Sequence, residues 1–164
     1  MTKQVLGAII KVQKRKELMK MTINFDMDGT IANLYGVENW LEYLIASDTT
    51  PYLTAKPMLN LSLLARRLNA LQKDGKQLGV ISWTSRGGSP EYNAAVIEAK
   101  KKWLKQHLPS VKWDKINIVP YGTPKQNFCF APDDILFDDE TPNREKWTGK
   151  AYRETEILEI LKTL

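Results

Sequence analysis

Short apolar runs alternate with helical stripes of apolar residues along this chain. Runs at 22–26, 77–83, 116–119 and 134–138 are typical of strands, and a further short strand is predicted near 149–152. Helical patterns separate these runs. The order predicts an α/β fold: a three-layer αβα sandwich with a mostly parallel, Rossmann-like sheet covered on both faces.

The predicted helices share apolar residues three and four positions apart. They lie at 37–46, 60–73, 90–107, 141–147 and 153–163. Segment 47–57 contains two prolines and few apolar residues, which predicts a loop.

The helix at 90–107 has the clearest start, since Ser89 is a favourable cap and Pro90 suits the first helical position. The pattern predicts a buried apolar face and a solvated face of lysines. The buried face comprises Ala94, Ala95, Ile97 and Leu104 with Val96 or Trp103, and the solvated face comprises Lys100, Lys101, Lys102 and Lys105.

Length and composition indicate one domain, because 164 residues with 43% hydrophobic content suffice for one core. The chain has a single cysteine, Cys129, so an internal disulfide is excluded and a reducing, cytoplasmic setting is expected. No apolar run approaches the roughly 20 residues of a membrane-spanning helix.

The net charge of +5 arises within residues 1–20, which hold six lysines and arginines and one acid, Glu17. The predicted organisation is therefore a basic leader at 1–20 and a neutral domain at 21–164. The leader is interpreted as a solvated helix. Contact with nucleic acid is the alternative interpretation. A third interpretation is that the natural chain starts at Met19 or Met21.

Polar side chains follow four of the predicted strands. They form the segments Asp26-Met27-Asp28-Gly29-Thr30, Thr84-Ser85-Arg86, Pro124-Lys125 and Asp138-Asp139. Because ligands of parallel sheets bind at the carboxyl ends of the strands, these groups are expected to meet at one edge.

Four carboxylates at one edge repel one another unless a hard divalent cation lies among them, and Mg²⁺ prefers such oxygens. The predicted magnesium site comprises Asp26, Asp28, Asp138 and Asp139. A carboxylate nucleophile with a second carboxyl as proton donor suits phosphoryl transfer, and Lys125 adds a fixed positive charge. Each motif taken alone has an ordinary explanation as a turn, a cap or a surface lysine, but their joint occurrence at successive strand ends favours chemistry.

These four motifs, in this order over residues 21–152, resemble the haloacid dehalogenase (HAD) superfamily of phosphohydrolases. The resemblance implies that Asp26 attacks phosphorus to form an aspartyl-phosphate, and that Asp28 protonates the leaving oxygen and then activates water. It also implies that the backbone carbonyl of Asp28 helps to bind Mg²⁺, and that Asp138 and Asp139 hold the metal. The acid at position 28 favours a phosphatase over a dehalogenase.

The resemblance further implies that Lys125 steadies the nucleophile and the phosphate and that Thr84 binds the transferring group. Ser82 lies on the same face of the strand as Thr84, so either hydroxyl fits the pattern. The Thr84-Ser85 pair is similar to the 5'(3')-deoxyribonucleotidase branch. The complete set of predicted substrate contacts is Gly29, Thr30, Thr84, Ser85 and Arg86.

The segment 31–59 corresponds to a small cap insert, too short for a full cap domain. A nucleotide is the leading substrate prediction, because a base can stack on Tyr35, Trp40, Tyr43 or Tyr52. Packing of Trp40 and Tyr43 onto the domain is the alternative, and it is the favoured interpretation for Trp40. Trp83 is predicted to lie in the core.

Two other functions fit the same sequence. An open site would admit a polynucleotide end. A catalytically idle domain would instead bind nucleic acid or a protein partner through the leader at 1–20.

Overall fold

The computed structural model describes residues 2–18 and 20–164 of the chain. Their strands are β1 (Thr22–Phe25), β2 (Ala32–Asn33), β3 (Lys56–Pro57), β4 (Gln77–Trp83), β5 (Lys115–Val119), β6 (Ile135–Phe137) and β7 (Lys150–Tyr152). Their α-helices are α1 (Lys3–Leu18), α2 (Trp40–Ile45), α3 (Thr50–Thr54), α4 (Leu61–Lys73), α5 (Pro90–His107), α6 (Thr141–Lys146) and α7 (Ile157–Lys162).

The prediction of an α/β protein with a parallel sheet is confirmed. Five strands form one sheet in the order β5-β4-β1-β6-β7, and every neighbouring pair is parallel. Strand β1 is central and all four of its residues are buried. This arrangement brings the carboxyl ends of β1, β4 and β6 side by side.

Side chains along each strand alternate between the two faces of the sheet. Leu78 and Val80 belong to a large apolar cluster that includes residues of α4, α5 and α7, whereas Ile81 packs with Leu136 and Trp147. Helices therefore flank the sheet, which explains why the strands are nearly continuous apolar runs.

Local capping explains two helix starts that were predicted from sequence. The Asn60 side chain accepts a hydrogen bond of 3.0 Å from Leu63 N at the start of α4. The Ser89 hydroxyl accepts one of 3.1 Å from Tyr92 N at the start of α5, where Pro90 occupies the first turn. Both caps satisfy backbone N–H groups that have no partner within the helix.

The loop predicted at 47–57 is wrong in part, because this segment contains helix α3 and strand β3. Asp48 Oδ1 accepts hydrogen bonds from Thr50 N at 2.8 Å and from Thr50 Oγ1 at 2.6 Å, which orders the turn before α3. Strand β3 then pairs antiparallel with β2. The insert at 31–59 is thus a compact unit of short elements beside the sheet.

The predicted faces of α5 are wrong in part, since Ala94 and Ala95 are exposed and Lys100 is buried, whereas Val96, Trp103 and Leu104 are buried as predicted. The buried residues are Tyr92, Val96, Ala99, Lys100, Trp103 and Leu104. Trp103 is fully buried and its Nε1 donates to Ala55 O at 2.7 Å. A large aromatic side chain buries far more apolar area than an alanine, so the aromatic residues set the helix rotation.

Helix α1 carries the basic leader, and each of its side chains that the structure describes is exposed. The solvated-helix interpretation agrees with this, while Met19 lies outside the described residues. No helix in the described part of the chain has the length and apolar content to cross a membrane.

Candidate active site

The carboxyl end of β1 holds the most buried acid of the first motif. Asp26 directly follows β1 and is 6% exposed. Its backbone N–H donates to Phe137 O at 2.9 Å, which continues the sheet pairing by one residue and fixes the carboxylate at the sheet edge. The sequence prediction that Asp26 lies at a strand end is confirmed.

Lys125 links the ends of β1 and β6. Its Nζ lies 2.8 Å from Asp26 Oδ1 and 2.6 Å from Asp138 Oδ2, and the side chain is 2% exposed. Burial alone would lower the pKa of Lys125, but the Asp26 and Asp138 carboxylates outweigh it and the pKa is raised. Lys125 is therefore a permanent positive charge between two buried acids.

Asp138 has both oxygens occupied. Oδ1 accepts from Glu140 N at 2.8 Å, and Oδ2 accepts from Asn143 Nδ2 at 3.2 Å in addition to Lys125. Burial raises the pKa of Asp138 to about 6, Asp26 adds to this effect and Lys125 opposes it. The Arg144 guanidinium donates to the backbone carbonyls of Asp138 and Asp139 and so holds the turn after β6.

Asp139 completes a cluster of three carboxylates. Three carboxylate oxygens, one each from Asp26, Asp138 and Asp139, lie within 4.8 Å of one another. Thr30 Oγ1 bridges this cluster, 3.1 Å from Asp26 Oδ2 and 3.2 Å from Asp139 Oδ1. Three carboxylates at this spacing are a hard oxygen donor set, which suits a divalent cation such as Mg²⁺.

Gly29 explains how the first motif comes so close to Asp139. Its φ is +78°, and a Cβ at this position would collide with Asp139 Oδ2. Only glycine fits both the left-handed backbone and the close approach. The turn at Gly29 and Thr30 therefore shapes the carboxylate cluster, and Gly29 does not line the cavity described below.

Repulsion among the three acids should lower the free energy of unfolding, which is a cost in stability. Burial raises the pKa of Asp139 to about 7, and the Asp26 and Asp138 carboxylates add to this effect. A carboxyl whose folded-state pKa is raised destabilises the fold when it ionises, so the cost is full above about pH 7 and declines as the pH falls toward 4. Asp139→Asn removes it.

We expect Asp139→Asn to raise the free energy of unfolding in chelator at pH 8 by about 1–2 kcal/mol, after allowance for partial exposure. Thermal unfolding at pH 8 and pH 5 measures this, and the gain should shrink at pH 5. The exposed Asp133→Asn is the matched control and should change little at either pH. An equal gain for both variants would contradict the repulsion argument.

Asp28 lies apart from the cluster. Its Oδ2 is 2.6 Å from the Nζ of Lys100, and its side chain is 19% exposed. Burial raises the pKa of Asp28, Lys100 opposes this effect and Asp26 adds to it. The predicted four-carboxylate metal set is therefore not assembled as such, because the Asp28 side chain is turned to a lysine instead.

The two hydroxyls that the sequence could not distinguish have different partners. Ser82 Oγ accepts from Lys100 Nζ at 2.8 Å. Thr84 Oγ1 is buried and has no hydrogen-bond partner among the described residues. A buried hydroxyl without a partner is costly, so Thr84 is the hydroxyl open to a ligand.

A cavity of about 590 Å³ opens above these groups. Of the predicted site residues, those that line it are Asp26, Asp28, Thr84, Ser85, Arg86 and Lys125. Its remaining wall is largely aromatic and aliphatic and comes mainly from the insert, with Tyr35, Trp40, Leu41, Leu44, Ile45 and Tyr52. Of the four aromatic residues proposed for stacking, Tyr43 does not line the cavity.

Trp83 lines the cavity, so its predicted place in the core is wrong. Its Nε1 donates to Thr123 O at 2.9 Å, its ring centroid is 5.0 Å from that of Tyr121, and Lys125 Nζ lies 4.9 Å from its ring. The loop after β5 supplies these partners, which hold the indole toward the site. The exposed Arg86 guanidinium lies 5.8 Å over the Tyr121 ring.

Sequence reasoning missed two features of this site. Tyr121 carried no motif signal. Lys100 was assigned to solvent, although it shares a helical stripe with Val96 and Trp103 and is 1% exposed. The helical spacing of Tyr92, Val96, Ala99 and Trp103 was the signal that indicated this face. No protein-family model and no curated protein matches this chain.

Proposed function

We propose that this chain is a Mg²⁺-dependent phosphomonoester hydrolase of the HAD type, acting through an aspartyl-phosphate on Asp26. The observation that carries the proposal is Lys125, which is buried between Asp26 and Asp138 beside Asp139 at the base of a cavity. An ammonium held against a nucleophilic carboxylate also lies where a phosphate must approach. The sequence motifs described above support the same assignment.

The donor set fits a magnesium ion. Asp26, Asp138 and Asp139 would hold it, because each offers a carboxylate oxygen and these oxygens lie within 4.8 Å of one another. The backbone carbonyl of Asp28 is the further ligand that the resemblance implies. When bound, the ion would offset the negative charge between the carboxylates and a phosphate dianion.

The side chains have separate tasks in the proposed reaction. An Asp26 carboxylate oxygen forms a bond to phosphorus as the bond from phosphorus to the leaving oxygen breaks, and Asp28 gives its proton to that oxygen. Water then bonds to phosphorus and passes a proton to Asp28 as the bond to Asp26 breaks, which releases inorganic phosphate. Thr84 Oγ1, which is buried and has no hydrogen-bond partner among the described residues, donates to the phosphoryl group during transfer.

The cavity supports a small substrate with a flat apolar part. Its volume is within the range of small-molecule sites, and aromatic rings of Tyr35, Trp40 and Trp83 face it. A nucleotide places its phosphate at the carboxylates and its base among these rings. Arg86, at the exposed rim, adds a positive charge for a second anionic group.

A screen of phosphate monoesters tests the proposal. We expect release of inorganic phosphate from nucleoside monophosphates in Mg²⁺, loss of at least 100-fold in excess chelator, and recovery when Mg²⁺ is restored. Rapid acid quench followed by mass spectrometry should detect one phosphoryl group on the peptide that contains Asp26.

Three results would point elsewhere. Turnover restricted to polynucleotide ends would keep the chemistry and change the substrate. Salt-sensitive binding of nucleic acid without turnover, lost on removal of residues 1–20, would favour a binding domain. Turnover that persists in chelator would contradict the magnesium requirement.

A further inference from the structure

Lys100 is a fully buried lysine outside the set of residues that define the proposed reaction. It lies in α5, it is 1% exposed, and its Nζ is 2.6 Å from Asp28 Oδ2. A buried ammonium is costly unless it is paired and hydrogen-bonded, so a lysine at this position requires an explanation.

All three N–H donors of Lys100 have partners. Besides Asp28, they are Ser82 Oγ at 2.8 Å and Trp83 O at 2.6 Å, both from the end of β4. The Tyr52 ring of the insert lies 5.2 Å from Nζ. These contacts fix the ammonium between β4, α5 and the insert and leave it a single orientation.

The fixed ammonium in turn fixes one oxygen of Asp28. Oδ2 is held by Lys100, while the side chain keeps 19% exposure and lines the cavity. No hydrogen bond from the described residues engages Oδ1. Asp28 therefore presents Oδ1 to the cavity, and the contact between Oδ2 and Lys100 sets the direction in which Oδ1 points.

The two buried lysines serve different acids. Lys125 contacts Asp26 and Asp138, whereas Lys100 contacts Asp28 and neither of the others. A shared lysine would draw the three acids together. Separate partners keep the Asp28 carboxylate apart from the cluster that the cation would occupy.

We propose that Lys100 is a positioning residue that orients Asp28 for proton transfer to the leaving oxygen. This inference rests on the proposed phosphatase function and adds to it a residue that does not itself touch substrate. A proton donor must be within hydrogen-bond reach of the atom that it protonates, and an aspartate that is free to rotate about its two side-chain torsions spends less time in that geometry.

Leaving-group dependence separates orientation of a proton donor from general support of the fold. An alkyl phosphate needs a proton on its leaving oxygen, whereas 2,4-dinitrophenyl phosphate does not. The ratio kcat/KM reports the steps up to loss of the leaving group, so it isolates the step in which Asp28 acts as an acid. The test compares Lys100→Met with Lys101→Met, a matched change of the neighbouring exposed lysine.

We expect Lys100→Met to lower kcat/KM about 100-fold for an alkyl phosphate and less than about 5-fold for the dinitrophenyl ester. Lys101→Met should leave both values unchanged. Equal losses for the two esters in a folded Lys100→Met variant, or no loss for either, would overturn the proposal.

A second variant applies if Lys100→Met does not fold. Ser82→Ala keeps the charge of Lys100 and removes one of its three partners, so a selective loss of roughly 5-fold on the alkyl ester is expected. Equal change on both esters, or none, overturns the proposal here as well.

The result also distinguishes this inference from the proposed function. If the unmodified protein hydrolyses neither ester, both fail together. If it hydrolyses both through Asp26 and the leaving-group ratio of the Lys100 and Ser82 variants equals that of the unmodified protein, only the positioning role fails.

Discussion

Asp26→Asn is expected to lower Mg²⁺-dependent phosphate release by at least about 1000-fold, the largest effect of any single change in this chain. An amide cannot form the acyl-phosphate bond that the proposed reaction requires. The change is otherwise mild, because asparagine retains an oxygen that can accept from Lys125 Nζ, now 2.8 Å from Asp26 Oδ1. Measurement of kcat with a nucleoside monophosphate at saturating Mg²⁺ checks the expectation.

Two controls make that result specific. Asp133→Asn applies the same chemical change to an exposed acid and should keep full activity. Raising the Mg²⁺ concentration tenfold in the Asp26→Asn variant tests whether weaker metal binding explains the loss. Activity that survives in the purified variant, or returns with extra Mg²⁺, would refute the assignment of Asp26 as nucleophile.

Lys125→Met should destabilise the protein more than any other substitution of a lysine among the described residues. The change removes the ammonium between two carboxylates that are 6% and 0% exposed, and it leaves both acids buried without that partner. Breaking a buried ion pair on one side costs about 3–5 kcal/mol. For a chain of this length, that corresponds to a fall in Tm of roughly 10 °C.

The measurement is denaturant unfolding in chelator, with Lys102→Met as an exposed control that should change the free energy of unfolding by less than about 0.5 kcal/mol. Added Mg²⁺ should recover part of the stability of Lys125→Met, because a cation among the acids replaces part of the lost charge. Unfolding of Lys125→Met indistinguishable from that of Lys102→Met would contradict the buried ion-pair account.

Sequence alone predicted the α/β class and most of the element positions, and the reason is local. Asn60 and Ser89 cap helices through backbone N–H groups three residues away, and the apolar runs of β1 and β4 need no distant partner to be recognised. Helix α3 was missed because a five-residue helix with a proline in its first turn is too short to show a period.

The sequence also predicted which acids lie at strand ends, because a motif directly after a buried strand must emerge at the sheet edge. The structure brings Asp26, Asp138, Asp139 and Lys125 together as expected. Their proposed catalytic roles remain predictions.

Only the tertiary structure decided how the charges are paired. Asp28 and Lys100 are 72 positions apart. Lys100 reaches β4 only because α5 packs with its aromatic face toward the sheet. In this packing Lys100 donates to Ser82, whereas Thr84 Oγ1 has no hydrogen-bond partner among the described residues. Local sequence determines whether each segment forms a helix, a strand or a turn. The partner of a buried charge depends on how distant segments pack together, and no local pattern contains that information.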